Sequence, residues 1–267
     1  MTRLADTVTR LNFMGDTFQP GHVWLAGAGP GGLECLTLGV VAALAEADAI
    51  VYDALVNPAI LDAGNGERHF VGKRAGQPST SQETINTLIV DLARQGKRVL
   101  RLKGGDPNIF GRGGEEALVL ARAGIPFRFL PGITSGLAAL ARAGIPATMR
   151  DVNKAIILAT GHAAGTAEDL DWAALARTGQ PIVIYMGVAN LALVVSALLG
   201  GGLAPETPVA ILMATSTPDE RLLVADLASV VARSQAEKIT APALIVVGQI
   251  VEKRAEFEAL LEMVQAS

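Results

Sequence analysis

The sequence has few cysteine, histidine and aromatic residues, and each shortage excludes a class of protein. Cys35 is the single cysteine among 267 residues, which excludes an internal disulfide framework and favours a reducing compartment such as the cytoplasm. The three histidines, His22, His69 and His162, lie far apart in the chain. They show no metal-ligand spacing, so we predict no metal site. Because aromatic residues make up 4% of the chain, we expect an aliphatic, alanine-rich core.

Long apolar runs and a strong excess of one charge are also absent. Gly, Pro or a charged residue interrupts each apolar run before it reaches the length of a membrane span. The net charge of −4 and the pI of about 5.5 indicate neither a nucleic-acid surface nor a membrane surface. The N-terminus lacks a cationic segment followed by an apolar run, so we predict no secretory signal.

Short apolar runs alternate with helix-like patterns along the chain. Val23–Ala26, Ala49–Tyr52 and Arg98–Leu102 are typical of strands, and helical periodicity separates them. This βαβα alternation predicts an α/β fold with a mainly parallel sheet that is covered by helices.

The same alternation begins again in the second half, after a helix-like stretch that ends at Gly144 and Pro146. We therefore predict two α/β domains with mainly parallel sheets, at 21–147 and 148–267. Residues 1–20 are polar and aperiodic, and we predict that they form a flexible N-terminal tail.

A first glycine loop, Gly27-x-Gly29-x-x-Gly32, follows a predicted strand, and Asp53 ends the next one. This spacing is typical of dinucleotide-binding folds, in which the glycines approach the pyrophosphate and the acid binds the ribose. Pro30 counts against that interpretation, because it removes one backbone donor from the loop. A nicotinamide-dependent oxidoreductase nevertheless stays as an alternative function.

A second glycine loop is the most informative part of the chain. It reads RLKGGDPNIFGRGGEE and occupies residues 101–116. A connector that only turned the chain would not need so many glycines and charges, whereas a ligand-binding loop would. Its position between a predicted strand and a predicted helix indicates function at the carboxyl edge of the sheet.

This second loop resembles the signature of the uroporphyrinogen-III C-methyltransferases, in the tetrapyrrole methylase family. Other stretches match that family in order between about residue 21 and about residue 250: 27–31 (GAGPG), 51–56 (VYDALV), 71–76 (VGKRAG), 131–135 (PGITS), 144–146 (GIP), 160–162 (TGH) and 185–187 (YMG). The resemblance implies two α/β domains that face each other across an interdomain cleft, with S-adenosylmethionine between them. It also implies methylation of uroporphyrinogen III at C2 and C7, which gives precorrin-2 for sirohaem or cobalamin biosynthesis, and a homodimer.

The resemblance also implies roles for particular residues. Asp53 is the candidate general base and Lys73 the candidate acid, while Glu115 could accept a pyrrole N–H or the proton. Asp53 could instead cap a turn, and Glu115 could instead be a first-turn carboxylate that interacts favourably with its helix dipole. The implied cofactor-binding residues are Pro30, Gly104, Gly105, Asp106, Ile109, Thr134, Ser135, Met186 and Ala214.

A substrate with eight carboxylates needs several cations. The candidates at predicted loop ends are Lys73, Arg74, Arg101, Lys103, Arg112 and Arg150. Of these, Arg112 and Arg150 are our predicted substrate-binding residues, because each lies in a matching motif.

The chain departs from the family pattern at two places. Gly32 and Leu33 stand where the family usually has Asp-Pro, and Met149 stands where it often has His. The missing aspartate leaves open a third possibility, a non-catalytic relative that binds a tetrapyrrole or a methionine derivative.

Overall fold

A computed structural model describes residues 17–72, 80–166 and 169–265 of the chain. The chain divides into two compact units, of which the first ends at Ser135 and the second begins at Gly136. The domain boundary that the sequence predicted, after residue 147, lies 12 residues beyond the end of the first unit.

The first unit alternates strands and helices. In chain order its elements are β1 (Val23–Gly27), α1 (Leu38–Glu46), β2 (Ala49–Tyr52), α2 (Pro58–Leu61), β3 (Glu67–Phe70), α3 (Gln82–Arg94), β4 (Val99–Lys103), α4 (Gly113–Arg122) and β5 (Phe127–Leu130).

The sheet of the first unit has the strand order β3-β2-β4-β1-β5 in the described part of the chain, and its pairings are all parallel there. Parallel pairing brings the carboxyl ends of these strands to one edge, which is where open α/β sheets hold ligands. The prediction of a parallel α/β sheet is therefore confirmed for this unit.

Helices cover both faces of this sheet, as is usual for parallel sheets. Side chains along each strand alternate between the two faces. Leu100 and Leu102 of β4 pack on one face with α1 and α2. Val99 packs on the opposite face with Ile89 of α3 and Leu120 of α4. Arg101 and Lys103 point to this second face, so two cations lie under the α3–α4 layer.

The second unit also consists of helices and strands, although two of its strands follow one another without a helix between them. Its elements are α5 (Ser135–Arg142), which starts at the unit boundary, β6 (Ile157–Thr160), α6 (Trp172–Arg177), β7 (Ile182–Tyr185), α7 (Leu191–Gly200), β8 (Pro208–Met213), β9 (Arg221–Asp226), α8 (Val230–Ala236), β10 (Ala243–Val247) and α9 (Lys253–Gln265).

The second sheet differs from the sequence-based expectation in its pairing. Its order is β6-β7-β10-β8-β9, and within the described residues only β6 and β7 pair in parallel. β10 returns between β7 and β8 and is antiparallel to both, and β9 forms an antiparallel pair with β8. The prediction of a mainly parallel sheet is thus wrong for this unit, since β8 and β9 are joined by a short connection rather than by a crossover helix.

Two helices of the first unit begin at capping side chains. A 3₁₀ turn at Leu33–Cys35 precedes α1, whose N-cap is Thr37. The N-cap of α3 is Ser81, whose hydroxyl accepts the Thr84 N–H at 3.1 Å. No described helix combines the length and the apolar character that a membrane crossing requires.

Candidate functional site

Three loops meet at the carboxyl edge of the first sheet, after β1, β4 and β5. A Cβ atom on Gly27 would lie 2.5 Å from the Gly105 carbonyl oxygen and 2.6 Å from the Gly132 Cα atom. Such separations are impossible for a side chain, so these positions hold glycine because three backbones approach one another. Gly105 also has a φ of +71°, a conformation that glycine adopts without strain.

The first and second glycine loops are joined through their backbones. Gly29 N–H donates to the Gly105 carbonyl at 3.1 Å, and Gly105 N–H donates to the Gly29 carbonyl at 2.8 Å. Gly105 is one of the implied cofactor-binding residues, but its amide already donates within the protein. The Asn57 side chain holds the first loop as well, by donating to the Gly31 carbonyl at 2.7 Å.

Asp106 connects the second glycine loop to the loop after β5. Its Oδ1 accepts the Asn108 N–H at 2.8 Å, and its Oδ2 accepts the Gly132 N–H at 3.0 Å. A carboxylate oxygen can accept more than one hydrogen bond, so both oxygens keep capacity for a ligand. Asp106 thus stabilises the loop whether or not it binds a cofactor.

Asp53 lies at the end of β2 on the same edge. Its Oδ1 accepts the Leu55 N–H at 3.0 Å, which is the turn-capping role considered from the sequence. Its Oδ2 lies 3.7 Å from Nη2 of Arg101, and the carboxylate side chain is 26% exposed. Asp53 is therefore accessible, oriented by the backbone and close to a cation.

A buried group of charges, which we call the Glu116 cluster, lies beneath this edge. It comprises Arg101 and Lys103 of β4 and Glu116 of α4, which are 3%, 5% and 0% exposed. Glu116 Oε1 accepts from Arg101 Nε at 3.2 Å, from Lys103 Nζ at 3.0 Å and from Gln82 Nε2 at 3.1 Å. Glu116 Oε2 is buried and has no hydrogen-bond partner within the described residues.

Burial lowers the pKa of the Lys103 ammonium, and the neighbouring Arg101 guanidinium lowers it further, while Glu116 opposes both effects. Neither cation reaches the surface. Arg101 and Lys103, two of the six candidate cations from the sequence, therefore do not face a bound substrate.

Arg112 and Glu115, by contrast, are exposed at the start of α4. Their side chains are 60% and 57% exposed, and Arg112 Nε lies 3.5 Å from Glu115 Oε1. An ion pair this exposed is weak, so the Arg112 guanidinium can exchange Glu115 for another carboxylate. Lys73 and Arg74, predicted in the neighbouring loop, lie outside the described residues.

Other predicted cofactor residues of the first unit lie on the same three loops. Pro30 and Ile109 are half-buried in the first and second glycine loops. Thr134 is 7% exposed, and Ser135 starts α5.

In the second unit, Met186 and Ala214 follow β7 and β8, whose carboxyl ends lie at the same edge of the sheet because both strands are antiparallel to β10. Their φ angles are +54° and +50°. Residues other than glycine seldom adopt this conformation, and those that do concentrate at functional sites. Met186 is 52% exposed, so its thioether is available to a ligand.

Ala214 also lines an open pocket of about 620 Å³, with walls formed by Met213, 218–221 and 240–242. Arg150 is exposed in a turn outside this pocket, next to Asp151 with its φ of +67°. Each predicted residue of the second unit is thus exposed or lines open space.

Comparisons with known proteins identify the family of this chain. A family model described as tetrapyrrole (corrin/porphyrin) methylases matches residues 22–231, which include both glycine loops. The chain belongs to the tetrapyrrole methylase family. The Gly27–Gly32 loop and Asp53 fall inside the match, so the nicotinamide alternative is set aside.

Several relatives within this family are close in sequence. The chain is 45% identical over 249 residues to siroheme synthase 1 of Yersinia pseudotuberculosis, covering 92% of this chain and 52% of that protein. It is 45% identical over 244 residues to a uroporphyrinogen-III C-methyltransferase of Sinorhizobium sp., covering 90% of this chain and 87% of that protein. The chain therefore spans about half the length of the siroheme synthases it matches, but most of the length of the methyltransferase.

A solved structure shares the fold. The uroporphyrin-III C-methyl transferase from Thermus thermophilus, complexed with S-adenyl homocysteine, superposes with a TM-score of 0.75 at 38% identity. The alignment covers 86% of this chain and 99% of that one.

Glu116 is the functional candidate that the sequence interpretation missed, since it selected Glu115. Two patterns indicate the buried residue. Arg101 and Lys103 alternate within a strand of otherwise aliphatic residues, and Glu116 shares a helix face with Ala117 and Leu120. Buried cations require an acidic partner, and Glu116 is the acid on the buried face of the adjacent helix.

Proposed function

We propose that this chain methylates uroporphyrinogen III at C2 and C7, using S-adenosylmethionine, and so produces precorrin-2. The observation that carries the proposal is the 45% identity to a uroporphyrinogen-III C-methyltransferase over 87% of that protein's length. A partly exposed carboxylate at the ligand-binding edge of a parallel sheet, Asp53, supports it.

S-adenosylmethionine supplies a methyl group on a positively charged sulfur. The bond from methyl to sulfur breaks as the bond to the pyrrole carbon forms, and the electron pair of the old bond stays on sulfur. The pyrrole system provides the pair for the new bond, becomes positively charged and must lose one proton. The protein therefore has two tasks, which are to align the reactants and to accept a proton.

Asp53 is our proposed proton acceptor. Its Oδ1 is engaged by the Leu55 N–H, whereas Oδ2 is farther than a hydrogen bond from Arg101 and keeps its lone pairs available. Glu115 is the second candidate, and its exposure of 57% is compatible with that role. Lys73 remains the proposed acid.

The residues present fit a sulfonium cofactor with an amino-acid end. Asp106 has acceptor capacity left for an ammonium group, and the Gly104–Asp106 loop is braced before any ligand binds. Met186 offers an exposed, polarisable thioether, and Ala214 leaves space beside a pocket of about 620 Å³. We propose that these residues, with Pro30, Ile109, Thr134 and Ser135, bind the cofactor.

We propose that Arg112 and Arg150 bind substrate carboxylates. Replacing Arg112 by lysine should lower kcat/KM for uroporphyrinogen III at least about tenfold, because lysine cannot make the two-pronged contact and a hydrogen bond to a charged group contributes about 1.5–3 kcal/mol. Arginine and lysine have the same backbone preference, so the φ of +60° at position 112 would not cause the loss of kcat/KM. Steady-state kinetics measure the change.

Arg122→Lys is the matched control for this variant. Arg122 is exposed in the last turn of the same helix, so its replacement should leave kcat/KM unchanged. If Arg112→Lys behaves like this control, the substrate carboxylates bind elsewhere.

The function itself is tested by incubating the purified protein with uroporphyrinogen III and S-adenosylmethionine under reducing, anaerobic conditions. Mass spectrometry should detect products with one and then two added methyl groups, and calorimetry should detect cofactor binding. Cofactor binding without methylated product would identify a non-catalytic relative. Stabilisation by NAD in a thermal melt, with none by S-adenosylmethionine, would contradict the proposal altogether.

We further propose a homodimer in the cytoplasm, because C₂ dimers are the commonest oligomers and one cysteine in 267 residues suits a reducing compartment. Of the apolar stretch 191–199, Leu191, Val194, Val195 and Leu198 are buried in the core of the second unit, whereas Leu193 is exposed. Light scattering at micromolar concentration tests the dimer.

A further inference from the structure

The Glu116 cluster extends to the surface at Asp53. Arg101, Lys103 and Glu116 are at most 5% exposed, whereas the Asp53 side chain is 26% exposed and lies 3.7 Å from Arg101 Nη2. With Asp53 as a carboxylate, the two cations and the two anions cancel. Through Arg101, the buried cluster therefore contacts the carboxylate that we propose as the base.

Arg101 is held in place on three of its sides. Its Nε donates to Glu116 Oε1 at 3.2 Å, and its Nη1 lies 3.4 Å from the Val51 carbonyl and 3.1 Å from the Leu102 carbonyl. A guanidinium is planar and rigid, so these contacts determine the direction of Nη2. That nitrogen lies 3.7 Å from Asp53 Oδ2.

Stability does not explain this arrangement. The sheet face around Arg101 is otherwise apolar, with Val51, Val99 and Leu120 as neighbours in the same core layer. Removing ions from water is costly, and well-packed apolar residues in place of a buried ion network are often as stable or more so. Buried charges that adjoin an open site instead indicate a functional role.

We propose that Arg101 is a positioning residue for Asp53, and that Glu116 holds Arg101 in that position. The inference rests on the methyl transfer proposed above. Arg101 attracts Oδ2 without a direct hydrogen bond, while the Leu55 N–H occupies Oδ1. Oδ2 is therefore the oxygen that receives the proton, in an orientation that the buried cluster determines.

A double-mutant cycle on Arg101 and Asp53 tests this inference. Arg101→Met removes the charge, yet Glu116 keeps Lys103 and Gln82 as donors. We expect kcat to fall about 10- to 100-fold, which lies within the span of coupling found for residues in contact, with KM and S-adenosylmethionine affinity within about twofold of wild type. Asp53→Asn combined with Arg101→Met should be no slower than Asp53→Asn alone. The proposal would be overturned if the losses of kcat in the two single variants multiplied in the double variant, or if Arg101→Met left kcat unchanged.

Two further variants separate positioning from folding. Arg101→Lys keeps the charge and should be faster than Arg101→Met. Arg98→Met is the matched control, because Arg98 pairs with Asp48 at 2.8 Å at the opposite end of the same two strands. It should change stability but not kcat; a loss of kcat equal to that of Arg101→Met would show a general folding effect and contradict the proposal.

The same variants distinguish failure of this inference from failure of the proposed function. If the wild-type protein makes no methylated product, the proposed function fails. In that case, urea unfolding of the wild type, the two single variants and the double variant gives the coupling between Arg101 and Asp53. Non-additive unfolding free energies support the coupling of Arg101 to Asp53, and additive ones overturn it.

Discussion

Asp53→Asn is expected to lower the rate of methyl transfer about 10²- to 10⁴-fold, the usual contribution of general acid–base catalysis. Asparagine has nearly the same size but cannot accept the proton. Its oxygen can still accept the hydrogen bond from the Leu55 N–H, but its amide nitrogen then faces the Arg101 guanidinium. Both of these groups are hydrogen-bond donors. Single-turnover methyl transfer from S-adenosylmethionine measures the effect.

Cofactor binding should be nearly unchanged in this variant, because no hydrogen bond of the Gly104–Asp106 loop involves Asp53 among the described residues. Calorimetry checks this expectation.

Asp48→Asn is the matched control, since Asp48 also flanks β2 and pairs with an arginine, but at the opposite edge. The Arg98 hydrogen bond holds the pKa of Asp48 at about 2, so the control should change stability at neutral pH and leave methyl transfer intact. Full methyl transfer by Asp53→Asn would move the role of base to Glu115.

Periodicity and loop composition allowed much of the first unit to be predicted. Strands of a covered parallel sheet are mostly apolar on both faces, so β1 and β2 are recognisable as short apolar runs. The carboxyl ends of such strands share one edge, which is why Asp53 and the Gly104–Asp106 loop could be placed there from sequence.

Strand direction in the second unit could not be predicted in the same way. β8 and β10 are as aliphatic as parallel strands because both are fully or almost fully buried, and their composition does not indicate antiparallel pairing. The direction depends on β9, an edge strand with Arg221 and Asp226 at its ends, which follows β8 after a short connection. The short connection between β8 and β9 predicts antiparallel pairing better than the composition of the strands does.

The glycines of the second loop were informative for a reason that differs from the one first assumed. The sequence suggested close approach of a ligand, but a Cβ on Gly113 would lie 2.5 Å from the Pro107 carbonyl oxygen, and Gly27 and Gly132 meet the backbone at Gly105. Much of the glycine content therefore serves packing among the loops. The contacts between different loops join residues distant in sequence, so no local pattern reveals them.

Adjacent glutamates at the start of α4 show the limit of motif reasoning most clearly. Glu115 is exposed beside Arg112, while Glu116 is turned inward to two cations. A helix turns about 100° per residue, so neighbouring positions face different surroundings. The motif alone does not distinguish them, whereas the alternation of Arg101 and Lys103 in β4 does.

Glu116→Gln should lower the free energy of unfolding of the first unit by about 3–5 kcal/mol, because it leaves two buried cations without their carboxylate. The two tryptophans lie one in each unit, so a Trp172→Phe background leaves Trp24 as the reporter. Trp24 is 2% exposed in β1, and its fluorescence should follow unfolding of the first unit in urea. Glu115→Gln is the matched control one residue away, and as an exposed substitution it should change stability by at most about 0.5 kcal/mol.

A second substitution shows whether charge, rather than lost packing, causes the effect. Lys103→Met, added to Glu116→Gln, removes one of the two cations that have lost the Glu116 carboxylate and should restore part of the lost stability. Alone, the same substitution should be mild, because burial and Arg101 already lower the pKa of Lys103 and Glu116 keeps Arg101 and Gln82 as donors. If Lys103→Met instead adds its own loss to that of Glu116→Gln, the unpaired charges are not the cause. A loss below about 1 kcal/mol in Glu116→Gln would contradict the cluster itself, because a carboxylate that holds two buried cations cannot be replaced so cheaply.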